Sequence, residues 1–166
     1  HYYRLEDCRA LPKPVQKPHP RLIVGGKATP GTVEPAVRLA DEYNTLFASP
    51  DECRERRRRL DEACEQAGRD PSTLALSLMT PCIVAEDERE LRTRASRVLA
   101  ARGESGDPKE LLRANAGEWV TGTVAEVVER LGRYAEAGVE RIMLQHLAHD
   151  DAEMVELLGS EVRPLL

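Results

Sequence analysis

The sequence predicts an α/β protein with a parallel sheet, because short strand-like runs alternate with helical segments along most of its length. The order strand–helix occurs four times within the 166 residues. The first run, Leu22 to Val24, is continuously apolar, as in strands that are covered on both faces. Four parallel strands form a small open sheet or half of a barrel, whereas a closed (β/α)8 barrel needs about 250 residues.

The chain is expected to begin with an extended connector and to continue as one domain. Prolines at positions 12, 14, 18 and 20 remove backbone donors and fix φ, which disfavours a helix or a central strand over residues 1–20. Residues 21–166 are assigned to the domain. Its four strands are expected near residues 22–25, 43–47, 74–79 and 141–146.

The first two helices follow the first two strands. One is expected over residues 32–40. The next has a clear start, with Ser49 as N-cap, Pro50 at the first helical position and Glu52 placed to close a capping box. It is expected to end near Gly68, since glycine is the usual residue just past a helix end.

The later helices are predicted from the same signals. Asp87 with Glu90 opens the helix that follows the third strand, and Thr123 with Glu126 opens the helix that precedes the fourth. Between them, residues 104–120 are predicted to form a helical insertion. A further helix ends the chain after the last strand.

Charge and hydropathy exclude several classes of partner. The net charge is −5, and the densest positive run, residues 56–59, lies between acidic residues, which is typical of a solvated helix face. We therefore expect no nucleic-acid partner. The sequence holds no run of 18 apolar residues and no signal peptide before the first element, so neither a membrane span nor a membrane partner is expected.

The four cysteines, at positions 8, 53, 64 and 82, lack the spacing of a metal or redox site such as C-x-x-C. They are expected to be free thiols in a reducing compartment, which predicts a cytoplasmic location. Histidines and carboxylates show no metal-ligand spacing either, so no metal site is predicted.

Three segments together resemble one family, the bacterial luciferase-like monooxygenases. Residues 12–26, PKPVQKPHPRLIVGG, resemble the proline-rich approach and fifth barrel strand of that family. Residues 38–44, RLADEYN, are similar to the segment that leads into its sixth strand. Residues 121–131, TGTVAEVVERL, with residues 135–142, AEAGVERI, resemble the segment before its eighth strand. The order and spacing of these segments identify the chain as the C-terminal half of a (β/α)8 barrel, beginning before the fifth strand.

The resemblance implies an oxidoreductase whose cofactor ring sits over the C-terminal mouth of the barrel. Within the family the sequence is most similar to members that use the deazaflavin coenzyme F-420, with flavin mononucleotide (FMN) as the alternative. The first cofactor exchanges a hydride at its ring C5, and the second activates oxygen when reduced. The chemistry belongs to the cofactor, and the protein supplies binding and orientation for it and for a small organic substrate.

The resemblance places cofactor-binding residues directly after the first strand. Gly25 and Gly26 end that strand where a barrel carries its active-site loops, and their backbone can approach an anion closely. In the family this loop contacts the cofactor phosphate or its surroundings, so the match falls on Gly25, Gly26 and Lys27. Thr29 adds a hydroxyl at the same place. The alternative is an ordinary turn that needs flexible glycines.

The end of the last strand offers a second set of candidates. One of Gln145 and His146 must point toward the barrel axis and the other toward the helices. No catalytic residue is assigned, but His146 is the candidate, because an imidazole at the mouth suits proton transfer. In the alternative it caps the terminal helix or fills the layer between strand and helix. Asn44, Ser77 and Thr80 are further polar candidates.

Half a barrel leaves two sheet edges unpaired, so a partner is expected to cover them. That partner is either the N-terminal half of the barrel or a second copy of the chain, and a homo-oligomer is expected. The chain alone is expected to be inactive. Two other interpretations remain open: a non-catalytic half-barrel module that binds a phosphorylated cofactor, and an unrelated flavodoxin-like domain.

Overall fold

The computed structural model describes residues 4–9 and 11–166. The connector predicted for residues 1–20 lies partly outside this range, and its described part forms neither helix nor strand. The described residues form one wholly parallel five-stranded sheet with helices between the strands, which confirms the predicted class of fold, a partial parallel barrel. Its strands are β1 (Ile23–Gly25), β2 (Glu42–Leu46), β3 (Ala75–Ala85), β4 (Val120–Thr123) and β5 (Arg141–His146).

One α-helix follows each strand, except that two lie between the third and the fourth strand. Pro30 opens the first one, two residues earlier than predicted, at the first helical position that proline tolerates best. The helix that follows β5 continues into a π turn over Leu158–Val162. The helices are α1 (Pro30–Leu39), α2 (Pro50–Gln66), α3 (Glu88–Ala101), α4 (Pro108–Asn115), α5 (Val124–Glu136) and α6 (Ala152–Leu157).

Strand β4 is the main departure from the predicted elements. It is four residues long, contains Gly122 and ends at Thr123, which is also the N-cap of α5, so its local pattern indicates a helix start. Pairing with the far end of β3 makes it a strand. Strand β3 is longer than the run predicted at residues 74–79, because its second half gains β4 and β5 as neighbours.

The sheet is staggered, as in a barrel. Cys82 of β3 pairs with both Val120 of β4 and His146 of β5, so β4 and β5 lie on opposite sides of β3. Strand β4 therefore continues the side on which β2 pairs with the first half of β3. One row of the ladder joins Gly25, Asn44, Ser77 and Arg141. The carboxyl end of β1 is thus level with the start of β5.

The two faces of the sheet have different surroundings. Tyr43 of β2 and Leu144 of β5 point toward the helices: the Tyr43 hydroxyl bonds to Thr32 in α1, and Leu144 lines a cavity together with Val128 and Leu131 of α5. We call this face the helix-facing side. The opposite, barrel-facing side carries the alternate residues and is partly open. It comprises Ile23, Gly25, Glu42, Asn44, Leu46, Ala75, Ser77, Met79, Pro81, Arg141, Met143 and Gln145.

Candidate cofactor site at the carboxyl edge of the sheet

The loop between β1 and α1 is held by consecutive residues of β2. The Gly26 N–H donates to the Asn44 carbonyl at 3.0 Å, and the Thr45 hydroxyl donates to the Gly26 carbonyl at 3.1 Å. Two residues on, the Ala28 N–H donates to the Tyr43 hydroxyl at 2.8 Å. The backbone of this loop is therefore fixed by the fold, without help from a ligand.

The two glycines of the loop have different surroundings. A Cβ atom on Gly26 would lie 2.6 Å from the Tyr43 hydroxyl and 3.0 Å from the Thr32 side chain, so the fold itself needs glycine there. A Cβ atom on Gly25 would meet only the Asn44 carbonyl oxygen, at 3.7 Å, which is an ordinary contact. Gly25 is exposed on the barrel-facing side. The absence of its side chain leaves space for a ligand and is not required by packing.

The loop also presents free backbone donors. Ala28 has φ = 52°, the left-handed conformation, and its N–H is bound to Tyr43. Within the described part of the chain, the N–H groups of Lys27 and Thr29 on either side donate to no protein acceptor. The Thr29 side chain makes no capping bond to α1, and Pro30 lacks an N–H. Backbone donors grouped around a left-handed residue at a helix start form an anion-binding concavity.

The loop carries one cationic side chain, Lys27, near the carboxylate of Glu52. Lys27 is exposed and lies near the start of α2. The pKa of Glu52 there lies below its ordinary value, chiefly because the Ser49 backbone N–H donates to its carboxylate, with a smaller contribution from the charge of Lys27. The loop thus combines one cation, two free N–H donors and a glycine without steric conflict, which together fit a phosphate group.

A second polar group on the barrel-facing side has structural partners. The Asn44 amide donates to Ser77 at 2.9 Å, and the Ser77 hydroxyl donates to the Glu42 carboxylate at 2.5 Å. Glu42 is fully buried and pairs with Arg141 and, at 3.4 Å, with Arg21. Glu42 and Arg141 begin their strands, at the amino edge of the sheet, where a barrel carries stabilising interactions and not its active site.

The structure resolves the orientation of Gln145 and His146. Gln145 is in register with Pro81, four residues on from Ser77, and lies on the barrel-facing side. His146 lies on the helix-facing side, where both of its ring nitrogens are buried and, among the described residues, have no hydrogen-bond partner. Its ring centroid is 6.4 Å from that of His149. This placement favours the second role considered for His146, filling the layer between strand and helix.

The Gly25 loop and the end of β5 are not brought together. Gly25 is in register with Arg141, and Gln145 lies four residues beyond Arg141, which is about 13 Å along the strand. Strands β1 and β5 are also three strand spacings apart, which is about 14 Å across the sheet. Thr80, another candidate, donates from its hydroxyl to the Glu118 carbonyl at 2.7 Å and so anchors the segment before β4. Among the candidate residues in the described part of the chain, the first loop combines free backbone N–H groups with a cationic side chain, Lys27.

Other reactive groups in the described residues are not activated. Burial raises the pKa of the Cys82 thiol to about 12 and that of Cys53 to about 11, which keeps both protonated and unreactive near neutral pH. Residues 4–9 and 11–166 hold no group of three potential metal ligands. None of the described helices is long and apolar enough to cross a membrane.

Sequence reasoning missed Tyr43 and Thr45, the β2 side chains that hold the loop. Both point toward the helices, where an aromatic ring or a hydroxyl is usually a packing residue. The alternation of side chains along a strand could have revealed them. Residues 43 and 45 are two apart, so their side chains point to the same face of the sheet, and in a strand beside β1 this is the face on which α1 begins. That argument needs the pairing of β1 with β2, which the sequence alone does not supply.

A staggered parallel sheet with helices between its strands is the architecture of part of a (β/α)8 barrel. The family model for luciferase-like monooxygenases matches residues 1–141, and the chain belongs to this family. The resemblance stated from the sequence is thereby confirmed.

Known relatives cover the same part of the fold. The FMNH2-dependent dimethylsulfone monooxygenase of Pseudomonas putida is 23% identical over 99% of this chain and 51% of its own length. A monooxygenase structure from Streptomyces bottropensis matches with a TM-score of 0.70 and 23% identity, over 93% of this chain and 50% of that one. The coenzyme F420-dependent tetrahydromethanopterin reductase from Methanopyrus kandleri matches with a TM-score of 0.65 and 18% identity, over 86% and 50%. The chain thus spans about half the length of these relatives.

Proposed function

We propose that this chain forms the C-terminal half of a coenzyme F-420-dependent oxidoreductase, with FMN as the alternative cofactor, and that its β1–α1 loop binds the cofactor phosphate. The observation that carries the proposal is the loop itself. Its backbone is fixed by β2, while two N–H groups and Lys27 remain free. Family membership supports a flavin-type cofactor, and both candidates carry a phosphate.

Each part of the loop has a defined task in this proposal. The N–H groups of Lys27 and Thr29 would donate to phosphate oxygens, and the Lys27 ammonium would neutralise their charge. Gly25 would leave room on the barrel-facing side. The bound ring would supply the redox chemistry, hydride exchange at C5 in the deazaflavin or oxygen activation in the reduced flavin. Among the residues of the chain, Gln145 replaces His146 as the side chain at the mouth, because it lies on the barrel-facing side.

The proposal also concerns the partners of the chain. Among the described strands, β1 pairs only with β2, and β4 and β5 each pair only with β3, so all three strands have an open edge. The N-terminal half of the barrel, or a second copy, would cover them, and the chain alone would not turn over a small organic substrate. We propose a cytoplasmic location for the complete enzyme, in keeping with its unpaired thiols.

Titration with matched cofactor pairs tests the phosphate assignment. The chain is titrated with FMN and with riboflavin, and with coenzyme F-420 and its phosphate-free deazaflavin core, while ring fluorescence is followed. We expect the phosphorylated member of each pair to bind roughly tenfold or more tightly, since charge-assisted bonds to the loop are lost in the other. Lys27→Ala should reduce that preference. Equal affinity within both pairs would overturn the assignment.

A turnover assay distinguishes the enzyme from the non-catalytic binding module. A binding module would keep the preference for phosphorylated ligands but would give no cofactor oxidation or reduction even when combined with the N-terminal half of the barrel. Turnover in that combination supports the enzyme.

A further inference from the structure

We propose that Tyr43 is a positioning residue for the cofactor phosphate: its hydroxyl holds the β1–α1 loop in the conformation that presents the Lys27 and Thr29 N–H groups. This inference rests on the proposed function and extends it to a side chain that touches no cofactor. Tyr43 is fully buried on the helix-facing side of β2.

The contacts around Tyr43 allow one continuous chain of hydrogen bonds. When the Thr32 hydroxyl donates to the Thr29 carbonyl at 3.0 Å, it accepts from the Tyr43 hydroxyl at 2.8 Å. The Tyr43 oxygen in turn accepts from the Ala28 N–H at 2.8 Å. Three bonds thus run in one direction, from Ala28 through Tyr43 and Thr32 back to Thr29. This relay of bonds begins at Ala28 and ends at Thr29, the next residue, and so it links the β1–α1 loop to the first turn of α1.

The relay explains why Ala28 adopts an unfavourable conformation. A positive φ disfavours any residue with a Cβ atom, and Ala28 is not glycine. Ala28 is also buried, so its N–H would be left without a partner if the Tyr43 hydroxyl were absent. Without that bond the backbone would return toward negative φ, and the N–H groups on either side would change direction.

Packing alone does not account for the hydroxyl. A phenylalanine ring would fill the same space, whereas the hydroxyl crowds Gly26, where a Cβ atom would come within 2.6 Å of it. Residue 26 must therefore be glycine largely because a hydroxyl is present beside it. The Tyr43 hydroxyl thus lies beside Gly26, accepts from the Ala28 N–H and bonds to Thr32 in the first turn of α1.

The test compares Tyr43→Phe with a matched control, Tyr134→Phe. Tyr134 is also fully buried and its hydroxyl donates to a backbone carbonyl, that of Ala48 at 2.7 Å. Dissociation constants for FMN and riboflavin are measured for each protein. We expect Tyr43→Phe to lower the FMN-over-riboflavin preference by roughly tenfold, with riboflavin affinity nearly unchanged. Tyr134→Phe should leave the preference as in the unaltered chain.

A rescue variant separates positioning from simple destabilisation. Glycine adopts positive φ without cost, so Ala28→Gly in the Tyr43→Phe background should restore much of the FMN preference. An unchanged preference in Tyr43→Phe would overturn the inference and leave the proposed function standing. Absence of any FMN preference in the unaltered chain would remove the proposed function, and this inference with it. If Tyr43→Phe fails to fold, the double variant supplies the comparison: a folded double variant with full preference supports the inference, and one without preference contradicts it.

Discussion

At the scale of single residues, the two glycines after β1 show what a sequence motif leaves undecided. The pair was predicted as a loop that approaches an anion, and the pattern treats both positions alike. The structure separates them: Gly26 is required by the Tyr43 hydroxyl and the Thr32 side chain, and Gly25 is not required by any contact. Which glycine serves the fold depends on a neighbouring strand, and no local pattern contains that information.

Substituting each glycine by alanine tests this division. Gly26→Ala should lower the free energy of unfolding by about 2 kcal/mol, since overpacking against buried side chains costs roughly 1–3 kcal/mol. Gly25→Ala should change it by less than about 0.5 kcal/mol, because the new methyl group makes only ordinary contact. Urea unfolding measures both. In the cofactor titration, Gly25→Ala should nevertheless weaken FMN binding. Equal stability losses in the two variants would show that the glycines are equivalent.

At the scale of elements, helix starts were more predictable than strands. The Ser49 box is present as expected: the Ser49 hydroxyl accepts from the Glu52 N–H, and the Glu52 carboxylate accepts from the Ser49 N–H. Such caps depend on residues three apart, which a sequence displays directly. Strand β4 was missed because its identity depends on β3, a partner more than thirty residues away.

The Ser49 cap predicts a pH dependence of stability. Because the pKa of Glu52 is lowered in the folded chain, chiefly by the Ser49 N–H, its ionised form stabilises the fold at pH values above its ordinary pKa near 4.5. That contribution should disappear as the pH falls through the folded pKa. We expect the stability difference between the unaltered chain and Glu52→Gln to be constant from pH 6 to 8 and to shrink below about pH 4.5. A difference that grows on acidification would contradict the cap.

A second variant measures how much this cap contributes to the free energy of unfolding. Ser49→Ala removes the hydroxyl that accepts the Glu52 N–H and should cost about 1 kcal/mol of unfolding free energy at pH 7, as for other N-cap serines. Ser72→Ala is a control for the loss of an exposed serine hydroxyl, because the Asp70 carboxylate there keeps its principal donor, the backbone N–H of residue 72. Urea unfolding of both variants gives the comparison. A loss no larger in Ser49→Ala than in Ser72→Ala would argue against the cap.

At the scale of the whole molecule, the open barrel-facing side predicts self-association in the absence of the other half-barrel. Ile23 of β1 is 51% exposed on this side, at an edge where β1 has a single neighbour among the described strands. Apolar groups beside unpaired backbone donors and acceptors recruit another chain. We expect sedimentation velocity to show dimers or larger species that convert to a one-to-one complex when the N-terminal half-barrel is added.

Substitutions at two equally exposed positions distinguish association through the β1 edge from nonspecific hydrophobic association. Ile23→Lys places a charge at the β1 edge, while Val155→Lys alters an apolar side chain of α6 that is 52% exposed. Because both side chains are half exposed, neither change should greatly affect the stability of a single copy. We expect Ile23→Lys to shift the chain toward the monomer and Val155→Lys to leave its association unchanged. A monodisperse monomer of the unaltered chain would mean that the β1 edge needs no partner and that the half-barrel is a self-sufficient unit. An equal effect of the two variants would mean that the association is not specific to the β1 edge.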